Sequence, residues 1–121
     1  MTAEKLWETA KGLMALGNFP LSSHTAPDIN RMALTLINAV YSDLSRICGC
    51  RFAAVASLSE KVDLPAEVLS EALVYGLAMH IAAVLGDSGA QEYFAGLYNG
   101  KRLSLSRVEA MHDIFSKGES R

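Results

Sequence analysis

From Ala72 to Gly86 the chain is apolar on every side of the helix it would form, interrupted only by Tyr75 and His80. Val68, Leu69, Ala72, Leu73, Gly76, Leu77, Ile81 and Val84 fill one broad side, and Val74, Ala78, Ala82 and Leu85 occupy much of the rest. A helix that is apolar all round must be surrounded. As a helix this run spans only about 22 Å, and a bilayer needs roughly 20 apolar residues, so the run reads as a buried helix and no membrane partner is expected. Two coverings are open in a chain of 121 residues: the remaining helices of a compact four-helix fold, or a neighbouring copy. Gly76, Ala78, Ala82 and Ala83 are small enough to admit another backbone. Gly76 and Ala83 lie two turns apart on nearly the same face, which makes both candidate subunit contacts.

The flanking sequence supplies three further helices. Leu6, Ala10, Leu13 and Leu16 recur at helical spacing and predict a helix from Ala3 to Leu16, closed by Gly17. Thr25-Ala-Pro-Asp28 resembles a capping box and predicts a second helix from near Thr25, with the stripe Ile29, Met32, Leu36, Ile37, Val40, Leu44 and Ile47, ending at Cys48-Gly49. Between Phe52 and Leu64 the period shortens towards two around Ser59-Glu60-Lys61, which predicts a short β-hairpin. Pro65 opens the apolar helix and Gly86-Asp87 ends it. Ser88-Gly-Ala-Gln91 reads as the cap of a fourth helix, secure to Tyr98, with Gly100 as a kink or an end and with fraying from Ser116 to Arg121. The expected fold is all-α, a small bundle of about four helices with one short β-hairpin between helices two and three. It forms one domain over 1–121, with the segment 101–121 mobile in the free protein.

Chemistry is hard to place on this chain. His24, His80 and His112 show no metal-ligand spacing, and His80 reads as hydrogen-bonded in the core or at a subunit contact. Cys48 and Cys50 are one residue apart, with no second pair to complete a zinc site, and read as small apolar packing in a turn. Asp43, Glu60, Asp63, Glu67 and Glu71 read as solvated carboxylates. Phosphate-binding, nucleophile-elbow and Ser-x-x-Lys motifs are missing, so neither catalysis nor a cofactor or metal is expected. A net charge of −2 attracts no nucleic acid from a distance. Lys101, Arg102 and Arg107 form one modest basic cluster, suited to phosphates, to an acidic partner or merely to a solvated helix end. The first residues lack the layout of a signal peptide, and a reducing cytoplasm is the default compartment.

The order of these words resembles a known family. Asp28-Ile-Asn-Arg31 opens a helix ending Tyr41-Ser-Asp-Leu-Ser-Arg46; then follow Phe52 to Leu58, Val62-Asp-Leu-Pro65, Ala72-Leu-Val-Tyr-Gly-Leu-Ala78, Gly86-Asp87, and Leu97-Tyr-Asn99 with Lys101-Arg102. Over roughly residues 28–103 this is similar to the small head–tail connector proteins (adaptor, or head-completion proteins) of tailed bacteriophages and prophages. The resemblance implies a virion structural protein of the neck, present in the host cytoplasm during assembly. Its partners would be the portal protein, tail or head-completion proteins and its own copies, in a homo-oligomeric ring of a dozen or so closed by heterologous contacts. The ring would extend the DNA channel without sequence-specific binding and serve as the platform for the tail.

On this reading the hairpin, with Phe52, Val55 and Val62, touches a neighbouring subunit or lines the channel. The segment carrying Lys101, Arg102, Arg107, Val108, Met111, Ile114 and Phe115 docks on the portal, and a chain ending at Gly100 is expected to fold without docking. A reading from another class is a small helical regulator that binds DNA or a protein partner as a dimer. The two part on mass and on salt-dependent DNA affinity. An enzyme stands third, because no nucleophile–base pair is visible.

Overall fold

The computed structural model describes residues 1–16 and 28–119, and side chains within 1–15 and 28–106. The expected helix end at Gly17, the Thr25–Pro27 part of the cap and His24 lie outside the described residues. Among the described residues four helices make the all-α fold: α1 (Ala3–Leu16), α2 (Ala33–Cys48), α3 (Ala66–Leu85) and α4 (Ser88–Glu119).

Each helix begins or ends on a local device. Thr2 caps α1, its hydroxyl accepting from Lys5 N–H at 3.2 Å. A single 3₁₀ turn, Ile29–Met32, leads into α2, and Asp28 caps it by accepting from Asn30 N–H at 3.1 Å. Asp28 is thus the cap itself rather than the inner member of a capping box. Gly49 closes α2 with φ 67°. Gly86 closes α3 with φ 73°, while Asp87 N–H donates back to Ala82 O at 2.9 Å. Asp87 then starts α4, its carboxylate accepting from Ala90 N–H at 3.0 Å. The cap of α4 is therefore Asp87, not Ser88, because a carboxylate there takes an orphan donor of the first turn and also suits the positive helix end.

The apolar helix α3 is the centre of the fold. It is 20 residues long, with a π-helical turn at Leu69–Leu73, and is therefore longer than the run from Ala72. By length and composition alone it could cross a membrane, but more than half of that stretch is buried inside the fold. Its buried side chains Leu69, Leu73, Leu77 and Ile81 share one core with Leu6, Trp7 and Met14 of α1, Ile37, Val40 and Leu44 of α2, and Ala90, Phe94 and Tyr98 of α4. The covering expected from other helices of the same chain thus accounts for most of α3. Between Ala72 and Leu85 on it, Ala83 alone is exposed.

The hairpin is not formed. Among the described residues the sole β pairing is an isolated antiparallel bridge between Thr2 and Lys61. Residues 50–65 run as an irregular strap whose backbone groups are already engaged elsewhere. Asn38 donates to Val55 O and accepts from Val55 N–H, both at 2.9 Å. The Glu60 carboxylate accepts from Ala56 and Ser57 N–H at 2.5 and 2.6 Å. The strap's carbonyls at Leu58 and Glu60 accept from Glu4 and Ala3 N–H, at 2.9 and 2.8 Å, and so finish the first turn of α1. Val62 N–H donates to Met1 O at 3.2 Å, and Asp63 N–H to the Tyr41 hydroxyl at 3.3 Å. With these groups bonded to α1 and α2, the strap does not form the ladder of a hairpin.

Candidate functional site at the root of the C-terminal helix

α3 and α4 form an antiparallel pair across the Gly86-Asp87 link. Their register is set by Tyr98 against Gly76, by Lys101 against Glu71, and by Ser104 and Leu105 against Glu67 and Val68. The start of α3 is therefore level with the turn of α4 that ends near Ser106. α4 does not stop there. It passes through Gly100 without a break and continues to Glu119, so neither the end at Gly100 nor the fraying from Ser116 is seen over that range. At 1.5 Å per residue, Arg107–Glu119 carries the helix about 20 Å past the end of its partner.

At the root of this overhang sits a polar clamp. Tyr98 and Arg102 are one turn apart on α4, and Asp43 and Arg46 one turn apart on α2, so each pair shares a face. Asp43 accepts from Tyr98 OH at 2.6 Å, from Arg102 Nε and Nη2 at 2.8 and 3.1 Å, and from Arg46 Nη2 at 2.9 Å. The Arg102 guanidinium lies 5.9 Å from the centre of the Tyr98 ring. Burial alone would raise the Asp43 carboxyl; the hydrogen bonds from Arg102 and Tyr98, the Arg102 charge and the bond from Arg46 outweigh it and hold it below the usual carboxylate range. Burial and the Asp43 carboxylate push the Tyr98 phenol far up, so it stays a donor. The bond to Asp43 raises Arg102 further.

His80, half-buried on α3, is shifted down by burial, with the Asp43 charge opposing. It makes no hydrogen bond with the described residues, unlike the partnered ring that the sequence suggests. The clamp holds α4 onto α2. With a phenol this hard to ionise and a carboxylate this well satisfied, it offers neither a nucleophile nor a general acid near neutral pH.

Beside the clamp, a cleft of about 230 Å³ opens between the π turn of α3 and α4. Val68, Ala72 and Leu105 give it an apolar floor, and Glu67, Glu71, Lys101 and Ser104 a polar rim. The Lys101–Glu71 pair on this rim, 3.3 Å apart, is exposed and contributes little.

The candidate contact residues fall into separate places. Val55 and Val62 are buried in their own chain and are not available to a neighbour, because the strap packs onto α1 and α2 instead of standing out as a ribbon. Phe52 is 40% exposed, its ring edge-on to Tyr41 at 4.9 Å. Gly76 is buried against Val40 and Tyr98, so its close contact is intramolecular. Ala83 faces solvent. Lys101 and Arg102 spend their charges on Glu71 and Asp43 of the same chain. Arg107, Val108, Met111, Ile114 and Phe115 lie on the helical overhang, and their side chains are outside the description.

Cys48 and Cys50 are not disulfide-bonded, and the Cys50 thiol points to Cys48 O at 3.8 Å. Among the described residues no group of three or more His, Cys, Asp or Glu is arranged to hold a metal. Taken singly, Asp43 has the sequence context of a surface carboxylate; the signal for the clamp is the one-turn spacing of Tyr98 and Arg102 together with that of Asp43 and Arg46. Compared with protein families, with curated proteins and with solved structures, the chain matches none.

Proposed function

We propose that this chain is a head–tail connector subunit, one of a ring of copies that docks beneath a portal, extends the DNA channel and carries the tail. The observation that supports the reading is the overhang of α4. A helix that continues about 20 Å beyond the bundle, over a sequence with Val108, Met111 and Phe115 at spacings of three and four, is a ready-made helix-in-groove ligand. Its root is fixed by the Asp43 clamp, which gives the docking segment a defined direction of departure. The docking residues are then Arg107, Val108, Met111, Ile114 and Phe115. Lys101 and Arg102 brace the root. The protein acts by shape and assembly and not by catalysis, and DNA passes a subunit whose net charge of −2 does not grip it.

The test is to mix the purified chain with assembled portal rings of the genome that encodes it and measure mass by light scattering. The expected product is a portal bearing a closed ring of this chain. A chain that ignores the portal, yet binds duplex DNA with an affinity that falls steeply with salt, would be the dimeric regulator instead.

A further inference from the structure

The clamp holds more positive charge than it neutralises. Two guanidiniums lean on one carboxylate. Arg46 Nη2 and Arg102 Nη2 stand 2.9 and 3.1 Å from the same oxygen, Asp43 Oδ1, so the two nitrogens are at most 6.0 Å apart. Tyr98 adds no charge, since its hydroxyl stays a donor to the other oxygen. Lys101 turns to Glu71 on the α3 side. Asp43 therefore answers one of two positive charges and leaves the other.

Arg102 is also a fixed cation. It grips Asp43 through its Nε–Nη2 edge, at 2.8 and 3.1 Å. A guanidinium carries five N–H donors in a rigid plane, so pinning one edge aims the other away from Asp43. On that other edge, Nη1 makes no hydrogen bond with the described residues. The Arg102 side chain is 35% exposed and that of Arg46 77%, so both are within reach of a solute.

Beside Arg102 a pocket of about 150 Å³ opens between α2 and α4, lined by Ile47, Arg102, Leu103 and Ser106. It is distinct from the cleft that Glu71 and Lys101 rim. Ser106 lies one turn beyond Arg102 on α4, so the two share a face. Ile47 and Leu103 are apolar walls, which displace water and strengthen a charged hydrogen bond made between them. The volume is the share of about five water molecules, room for one small oxoanion and not for a nucleoside.

We infer that this pocket binds a phosphate group, carried by the inorganic ion or by a small phosphomonoester. The open edge of Arg102 and the Ser106 hydroxyl hold it from α4, and Arg46 adds the second cation from α2. Donors arriving from two helices suit the several oxygens of a tetrahedral anion. A planar carboxylate is satisfied by one guanidinium fork, as the Asp43–Arg102 pair shows. Duplex DNA is not the expected source, because its binding draws on many phosphate contacts and this corner has one unanswered charge on a chain of net charge −2. The pocket is built from bundle residues alone, so the inference does not rest on the connector reading.

The full chain is titrated with sodium phosphate near neutral pH, at an ionic strength held constant with sodium chloride, and the arginine Nε–H resonances are followed by NMR. Those of Arg102 and Arg46 are expected to move saturably, with a dissociation constant on the order of 1 mM. Arg46→Gln and Ser106→Ala are each expected to raise that constant about tenfold. Both positions are exposed, so both variants are expected to melt in chloride as the parent does. Sodium acetate in place of phosphate is expected to give no saturation. Shifts that chloride alone reproduces, saturation by acetate in the same range, or an unchanged constant in either variant would each overturn the proposal. Binding of a short DNA duplex that Arg46→Gln abolishes would overturn it too, and assign the corner to nucleic acid.

Discussion

Gly76 has no side chain because two others occupy its place. A Cβ there would stand 2.7 Å from Val40 Cγ1 and 2.8 Å from Tyr98 Cε1. Val40 is β-branched and buried, and the Tyr98 ring is tethered at its far end by the hydroxyl bond to Asp43, so neither gives way freely. Gly76→Ala should therefore lower the unfolding free energy by about 1–3 kcal/mol, read from the urea midpoint; an unshifted midpoint would show that the corner is slack. Asp43→Asn should cost about 1–2 kcal/mol, held down by the partial exposure of Arg102. Acid should act on this corner in two windows. His80 and Asp43 both titrate lower in the fold than in the unfolded chain. The His80 contribution is whole above the ordinary value of about 6.5 and falls away as pH drops below it; that of Asp43 is whole above about 3.9 and is lost as pH falls through its folded value. A plot of unfolding free energy against pH should show both declines. Asp43→Asn should remove the lower one and keep the upper, because burial, not Asp43, pushes His80 down. A stability curve flat from about pH 7 to 5 would contradict the His80 assignment.

Helices were legible where the information is local. The start of α1, the end of α2 at Gly49 and the α3–α4 break at Gly86-Asp87 follow from periodicity and from glycine at the helix ends. The strap between α2 and α3 was not legible, because what satisfies its backbone is distant in sequence: Asn38 for Val55, Met1 to Glu4 for residues 58–62. Asn38 is the central anchor, so Asn38→Ala should cost about 2 kcal/mol for two lost hydrogen bonds and speed amide exchange at Val55; protection at Val55 unchanged from the parent would mean that the strap is held by its packing alone. Gly100 misled for a related reason. Glycine costs a helix about 1 kcal/mol, but the next two residues bond across to Glu71 and Asp43, which fixes the turn after it. Tyr98, Arg102 and Asp43 each stood in recognisable sequence words. Their meeting became visible only once α2 and α4 were side by side.

At the scale of the whole molecule, the chain divides into a bundle that accounts for its own apolar helix and a helical extension that reaches past it. The bundle needs Tyr98 and Arg102, so a chain ending at Gly100 would lose the Arg102 half of the clamp along with any docking segment. The cut that separates folding from docking lies after Ser106, where every described contact of the clamp and the cleft is retained. Portal binding by the full chain and by a chain ending at Ser106, compared with their melting curves, is the most direct measurement. The connector reading predicts that the two melt alike and that only the full chain forms a ring on the portal. Equal portal binding by the shortened chain would contradict it.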